Sequence, residues 1–142
     1  MINKIKIIIY AITAYLGINI ETTLILISLM ALDSSVGVIK VLVMDKKEFT
    51  FRKLLLGFIT KLSFLIIPLV IALLGKSLGY DFHYVVNVTI SILTVAEAYS
   101  IIGNIYAARN KVEIEKVDAI SLLLLNVSKL IKKILTNLLG LI

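Results

Sequence analysis

The 25-residue stretch Tyr84–Ala108, YVVNVTISILTVAEAYSIIGNIYAA, decides how this chain is read. It carries one charge, Glu97. As a helix rising 1.5 Å per residue it is roughly 37 Å long, enough to cross a hydrocarbon core of roughly 30 Å. Two more stretches have the same character. Thr22–Met44 is interrupted only by Asp33 and Lys40, and Leu54–Gly75 only by Lys61 and the chain's one proline, Pro68. Each is roughly 33–35 Å long as a helix. Pro68 removes one backbone donor, which neighbouring helices absorb in a membrane, so a kink is expected there. Ile5–Ile20 is shorter, about 24 Å, and crosses thinly or lies partly in the interface. It follows Lys4 as an export signal would, but Gly17–Glu21 is not a small-x-small cleavage site, so an uncleaved anchor is expected.

Composition agrees. Of 142 residues 60% are hydrophobic and only 17% charged, with a mean hydropathy of +1.06. A soluble domain of this size lacks the interior to hide so much apolar surface, so lipid must be the solvent for much of the chain. With no cysteine and one histidine, His83, the chain lacks disulfides, thiolate nucleophiles and a histidine or cysteine metal cluster. No phosphate-binding glycine loop and no Ser/His/Asp arrangement is present, so neither an enzyme nor a cofactor is expected. The net charge of +6 comes from Lys and Arg in short groups between apolar stretches, a membrane pattern and not a nucleic-acid face.

Those groups also orient the chain. Lys46, Lys47, Arg52 and Lys53 form one basic segment; Arg109, Lys111, Lys116, Lys129, Lys132 and Lys133 form another. Both belong on the cytoplasmic side, and the weakly charged loop Lys76–His83 outside. Lys4 and Lys6 draw the N-terminus inside as well. The expected fold is an all-α integral membrane bundle: residues 1–108 with three to four spans (about 5–20, 22–44, 54–75 and 84–108), then a cytoplasmic amphipathic helix within 109–142.

That last segment has its own pattern. Val117, Ile120, Leu124, Val127, Ile131, Ile134, Leu138 and Leu141 are spaced 3,4,3,4,3,4,3, a heptad seam and a candidate oligomerisation surface. Three readings stand open: a helix on the inner leaflet with its lysines toward anionic headgroups, a helix that bundles with copies of itself, or one that packs on its own chain.

Charges inside the spans are costly and rarely face lipid. Asp33 lies about 10 Å inside Lys40, and Lys61 about 12 Å inside Lys53. Equal depth and opposite sign make them a candidate ion pair; alternatively Lys61 snorkels to the headgroups while Asp33 stays neutral or meets Arg52. Glu97 is near mid-membrane with no cation expected at its depth. Asn87, Ser91, Thr94, Glu97, Ser100 and Asn104 form a polar stripe that faces partner helices or lines a watery path. His83 reads as an interfacial side chain.

Three local motifs extend the reading. Leu32-Asp33-Ser34-Ser35-Val36-Gly37-Val38-Ile39-Lys40 closes one span; Lys46-Lys47-Glu48-Phe49-Thr50 and Gly57-Phe58-Ile59-Thr60-Lys61 follow; Glu97-Ala98-Tyr99-Ser100-Ile101-Ile102-Gly103-Asn104 lies in the last span. In order and spacing, over about Leu24–Ala108, they resemble the toxin-secretion/phage-lysis holin family. Leu54 stands where that family often has a glycine, and the tail lacks its Pro-x-Pro, so the tail's role does not carry over. The resemblance implies a small homo-oligomeric protein of the bacterial cytoplasmic (inner) membrane that opens lesions, coupled to an endolysin or toxin that passes through them. Two other classes fit the composition: a channel or transporter subunit using Glu97 as an ion or proton site, and a scaffold recruiting a partner through the C-terminal helix.

Overall fold

Every secondary-structure element among the described residues is an α-helix, as a chain whose backbone must satisfy itself in lipid requires. The computed structural model describes residues 2–44, 50–111 and 119–140. In order the helices are α1 (Ile2–Leu16), α2 (Ile20–Met44), α3 (Phe51–Ser63), α4 (Ile66–Leu78), α5 (His83–Asn110) and α6 (Ala119–Leu139).

Local chemistry sets their ends. Gly17, at φ +69°, stops α1; the Asn19 side-chain carbonyl then accepts the backbone N–H of Glu21 (2.9 Å) and Thr22 (3.2 Å), capping α2. Gly79 adopts φ +71° to close α4, where Tyr80 N–H donates to the Gly75 carbonyl at 2.9 Å. Asp81 accepts the His83 N–H at 2.9 Å and opens α5.

Three segments are long and apolar enough to cross a membrane: Ile20–Met44, Phe51–Leu78 and His83–Asn110. The middle one is α3 and α4 joined end to end. Its break lies at Phe64–Leu65, one turn before Pro68, because the proline has no N–H to give the Phe64 carbonyl; Ile67 N–H donates there instead at 3.1 Å. The α1 helix, of 15 residues and about 22 Å, is shorter than the expected Ile5–Ile20 and falls short of the hydrocarbon core.

The most extensive interface joins α2 and α5. They run in the same direction, since the α1–α2 turn lies against the start of α5 (a Cβ on Gly17 would sit 2.8 Å from His83 Nδ1) and Asp33 meets Asn104 further along. The apolar core is narrow: Leu26 and Met30 of α2, Ile71 and Ala72 of α4, and Val86, Ile90 and Leu93 of α5. Outside it, large apolar side chains such as Ile7, Val95 and Ile102 are two-thirds exposed, while Asp33, Glu97 and Asn104 are buried. Apolar outside and charged inside is the distribution lipid imposes.

Of the three readings of the C-terminal helix, packing on its own chain is what α6 does here. Leu123 is buried in the core and Val127 packs against it, facing α5 between Val85 and Ile92. Ile120 and Leu124 lie in α6; Ile131 and Ile134 are half-buried and Leu138 is exposed, while Val117 and Leu141 lie outside the described residues. Leu125, Leu135 and Leu139 also remain exposed.

Candidate functional site

Three spans each carry one ionisable group at similar depth. Asp33 is 11 residues from the end of α2, Lys61 is 10 from the start of α3, and Glu97 is 13 from the end of α5. At 1.5 Å per residue these are depths of about 16, 15 and 20 Å. The fold gathers all three. The Lys61 ammonium donates to Asp33 Oδ2 and, at 2.6 Å, to Glu97 Oε2. Asn104 Nδ2 donates to Asp33 Oδ1 at 2.9 Å. Asp33, Glu97 and Asn104 are each 4% exposed, whereas the Lys61 side chain keeps 20% of its surface.

Asp33 and Lys61 therefore meet, and Glu97 is not without a cation. The expectation of no cation at its depth is corrected: a lysine has three donors on a flexible stem, and Lys61 serves both carboxylates. With all three groups ionised the cluster carries one net negative charge. Removing the lysine from such a set is expensive, because it strands two carboxylates where water is scarce.

The polar stripe on α5 divides. Glu97 and Asn104 share the inward face with Val86, Ile90 and Leu93, and Ser100 is half-buried beside them. Asn87, Ser91 and Thr94 sit about 100° further round the helix. Ser91 is exposed, Thr94 Oγ1 donates to the Ile90 carbonyl of its own helix at 2.8 Å, and Asn87 Nδ2 lies 3.0 Å from exposed His83 Nε2. The sequence reading missed Thr89, which is buried on the inward face with its hydroxyl on the Val85 carbonyl at 2.8 Å. Its three- and four-residue spacing to Val86 and Leu93 was the available signal.

A cleft of about 270 Å³ between α2 and α3 leads to this cluster, lined among others by Gly37, Lys53, Gly57, Lys61, Asp33 and Asn104. Among the described residues no three His, Cys, Asp or Glu side chains come together to hold a metal. The arrangement is an electrostatic clasp across three spans.

No curated protein and no solved structure matches the chain. Residues 10–138 match the bacteriophage holin family, which is not a family of enzymes. The match takes in every crossing helix, the charge cluster and nearly all of α6. This chain, a helical membrane protein with Asp33, Lys61 and Glu97 gathered between its spans, belongs to the bacteriophage holin family.

Proposed function

We propose that the chain is a homo-oligomeric permeabilising protein of the bacterial cytoplasmic membrane, whose lesions release a wall hydrolase or a toxin. The observation that carries this reading is the clasp itself: Lys61 bridges Asp33 and Glu97 inside a bundle whose outer surface is apolar. While the clasp is shut, the chain accumulates in the bilayer with its polar groups hidden against one another. Once it opens, two carboxylates and an ammonium require water. Copies that assemble and turn those groups toward a common space give it a wetted wall. Glu97, Ser100 and Asn104 would line that wall, with Asn87, Ser91 and Thr94 at its flank. Assembly draws on exposed apolar side chains of α6, Leu125, Leu135, Leu138 and Leu139, of which Leu138 belongs to the heptad seam. In this reading the 45–53 segment and the end of α5 face the cytoplasm, and the N-terminus joins them where α1 crosses as a thin fourth span.

Inducible expression in bacteria tests this. Abrupt loss of membrane potential after a delay is the expected result. A graded, ion-selective leak would favour a channel with Glu97 as its ion site, and unchanged permeability a scaffold. The position beside Glu97 is already filled by the Lys61 ammonium, which weighs against a resident ion there.

A further inference from the structure

A half-open cavity of about 430 Å³ lies at the α4–α5 corner, the opposite end of the α3–α4 segment from Lys53. It is of a size that suits a small ligand. Leu16 of α1 and Ala72 of α4, both buried, form its apolar floor. Its rim carries one charge of each sign, Lys76 near the end of α4 and Asp81 in the turn that follows, both exposed.

Tight packing shapes the wall. A Cβ on Gly17 would lie 2.8 Å from His83 Nδ1, and one on Gly75 would lie 2.9 Å from the Phe82 ring, so the two glycines let these rings seat closely. Tyr80 stacks on Phe82, with 6.1 Å between centroids and 9° between planes. The two rim charges have separate partners. The Lys76 ammonium stands over the Tyr15 ring, 5.1 Å from its centroid, and Asp81 Oδ1 accepts the His83 N–H at 2.9 Å. Among the described residues Lys76 and Asp81 form no ion pair with each other. A cation and a carboxylate held apart on one rim suit a ligand that bears both charges.

The surroundings give that ligand a hydrocarbon part. Tyr15, Tyr80 and Tyr84 are exposed at this end of the bundle, and tyrosine collects at the headgroup level of a bilayer. Below Lys76, at spacings of three and four residues, Leu73 and Leu69 continue the same edge of α4, both exposed.

We infer that this cavity binds the headgroup of a phospholipid carrying both a phosphate and a primary ammonium. The phosphate meets Lys76, the ammonium meets Asp81, and an acyl chain runs along Leu73 and Leu69. An ammonium–phosphate contact and an ammonium–carboxylate contact are both charge-assisted hydrogen bonds. A purely anionic headgroup would set its charge beside Asp81 with nothing to offset it, and a soluble zwitterion would leave the apolar edge unused. In the orientation proposed above this is the outer leaflet. Because α1, α4 and the turn before α5 all border the cavity, the bound headgroup pins α1 to the bundle. The inference requires only that the chain lies in a bilayer, and it holds whether or not copies assemble.

The full-length protein is reconstituted in vesicles of equal parts phosphatidylethanolamine and phosphatidylglycerol and extracted in mild detergent, and the phospholipid retained on it is counted by native mass spectrometry. The wild type should retain phosphatidylethanolamine in about tenfold preference. Lys76→Gln keeps most of the side-chain stem and should lower retention of both lipids about tenfold. Asp81→Asn keeps an oxygen for the His83 N–H and should abolish the preference while phosphatidylglycerol stays as in the wild type. Lys6→Gln, which removes a charge from α1 away from the cavity, should behave as the wild type does. Equal retention of the two lipids by the wild type, or wild-type retention in both Lys76→Gln and Asp81→Asn, would overturn the site. Free O-phosphoethanolamine should not displace the retained lipid; displacement would assign the cavity to a soluble zwitterion and overturn the phospholipid.

Discussion

The Lys61 ammonium of α3 reaches the Glu97 carboxylate of α5 at 2.6 Å, across 36 residues of sequence, while also holding Asp33 of α2. One flexible side chain thus joins all three crossing segments. Its two carboxylate partners are not equivalent to it: either acid can be lost with the other still balancing the lysine, but loss of the lysine strands both.

Accumulation in membranes should follow that asymmetry. Lys61→Met leaves two buried carboxylates face to face and should destabilise the bundle by roughly 3–5 kcal/mol, the scale for breaking a buried pair. Asp33→Asn and Glu97→Gln each leave a one-to-one pair and should accumulate close to the wild type. Quantitative immunoblotting of membrane fractions checks this; equal loss in all three variants would contradict the shared clasp.

The proline should matter through the break it imposes at Phe64–Leu65. Pro68→Ala restores an N–H for the Phe64 carbonyl and lets α3 run on into α4. A straightened α3–α4 helix would re-aim Lys61 away from Asp33 and Glu97. The expected outcome is normal insertion with earlier permeabilisation, read from the onset of dye entry after induction.

Docking of α6 depends on Leu123, its buried anchor in the core. Leu123→Ala should cost about 2–4 kcal/mol and release the helix. Trypsin should then cut at Lys129, Lys132 and Lys133 faster than in the wild type, while the protein stays in the membrane fraction on its three intact crossing segments. Unchanged proteolysis would mean that α6 is held by something other than its seat on α5.

Much of the fold was legible because membrane spans announce themselves by length and by rarity of charge: α2 and α5 begin and end within two residues of the stretches expected from sequence. The meeting of Asp33 and Lys61 was legible by depth, since each could be counted inward from a basic boundary. The link to Glu97 was not. Depth alone gives no direction round a helix, and Glu97, counted as near mid-membrane, has no cation at its own depth by backbone position, although the long flexible stem of lysine spans that difference and its three donors allow it two partners. The α5 stripe was read as one face because small polar residues in a helix return their hydroxyls to their own backbone, as Thr94 does, and so mark no face by themselves. The break before Pro68 was displaced by one turn because a proline disrupts the hydrogen bond of the carbonyl behind it.

The most direct test of the account is the time course of membrane potential after induction, for the wild type and Glu97→Gln at matched membrane levels. In the wild type the potential should hold through a delay and then collapse abruptly. Glu97→Gln leaves the Lys61–Asp33 pair balanced, keeps the shape of the side chain and cannot ionise toward water, so its collapse should come later or not at all. Val95→Leu should follow the wild type. Collapse of Glu97→Gln on the wild-type schedule would reduce the carboxylate to a packing residue and contradict the clasp as the element that opens.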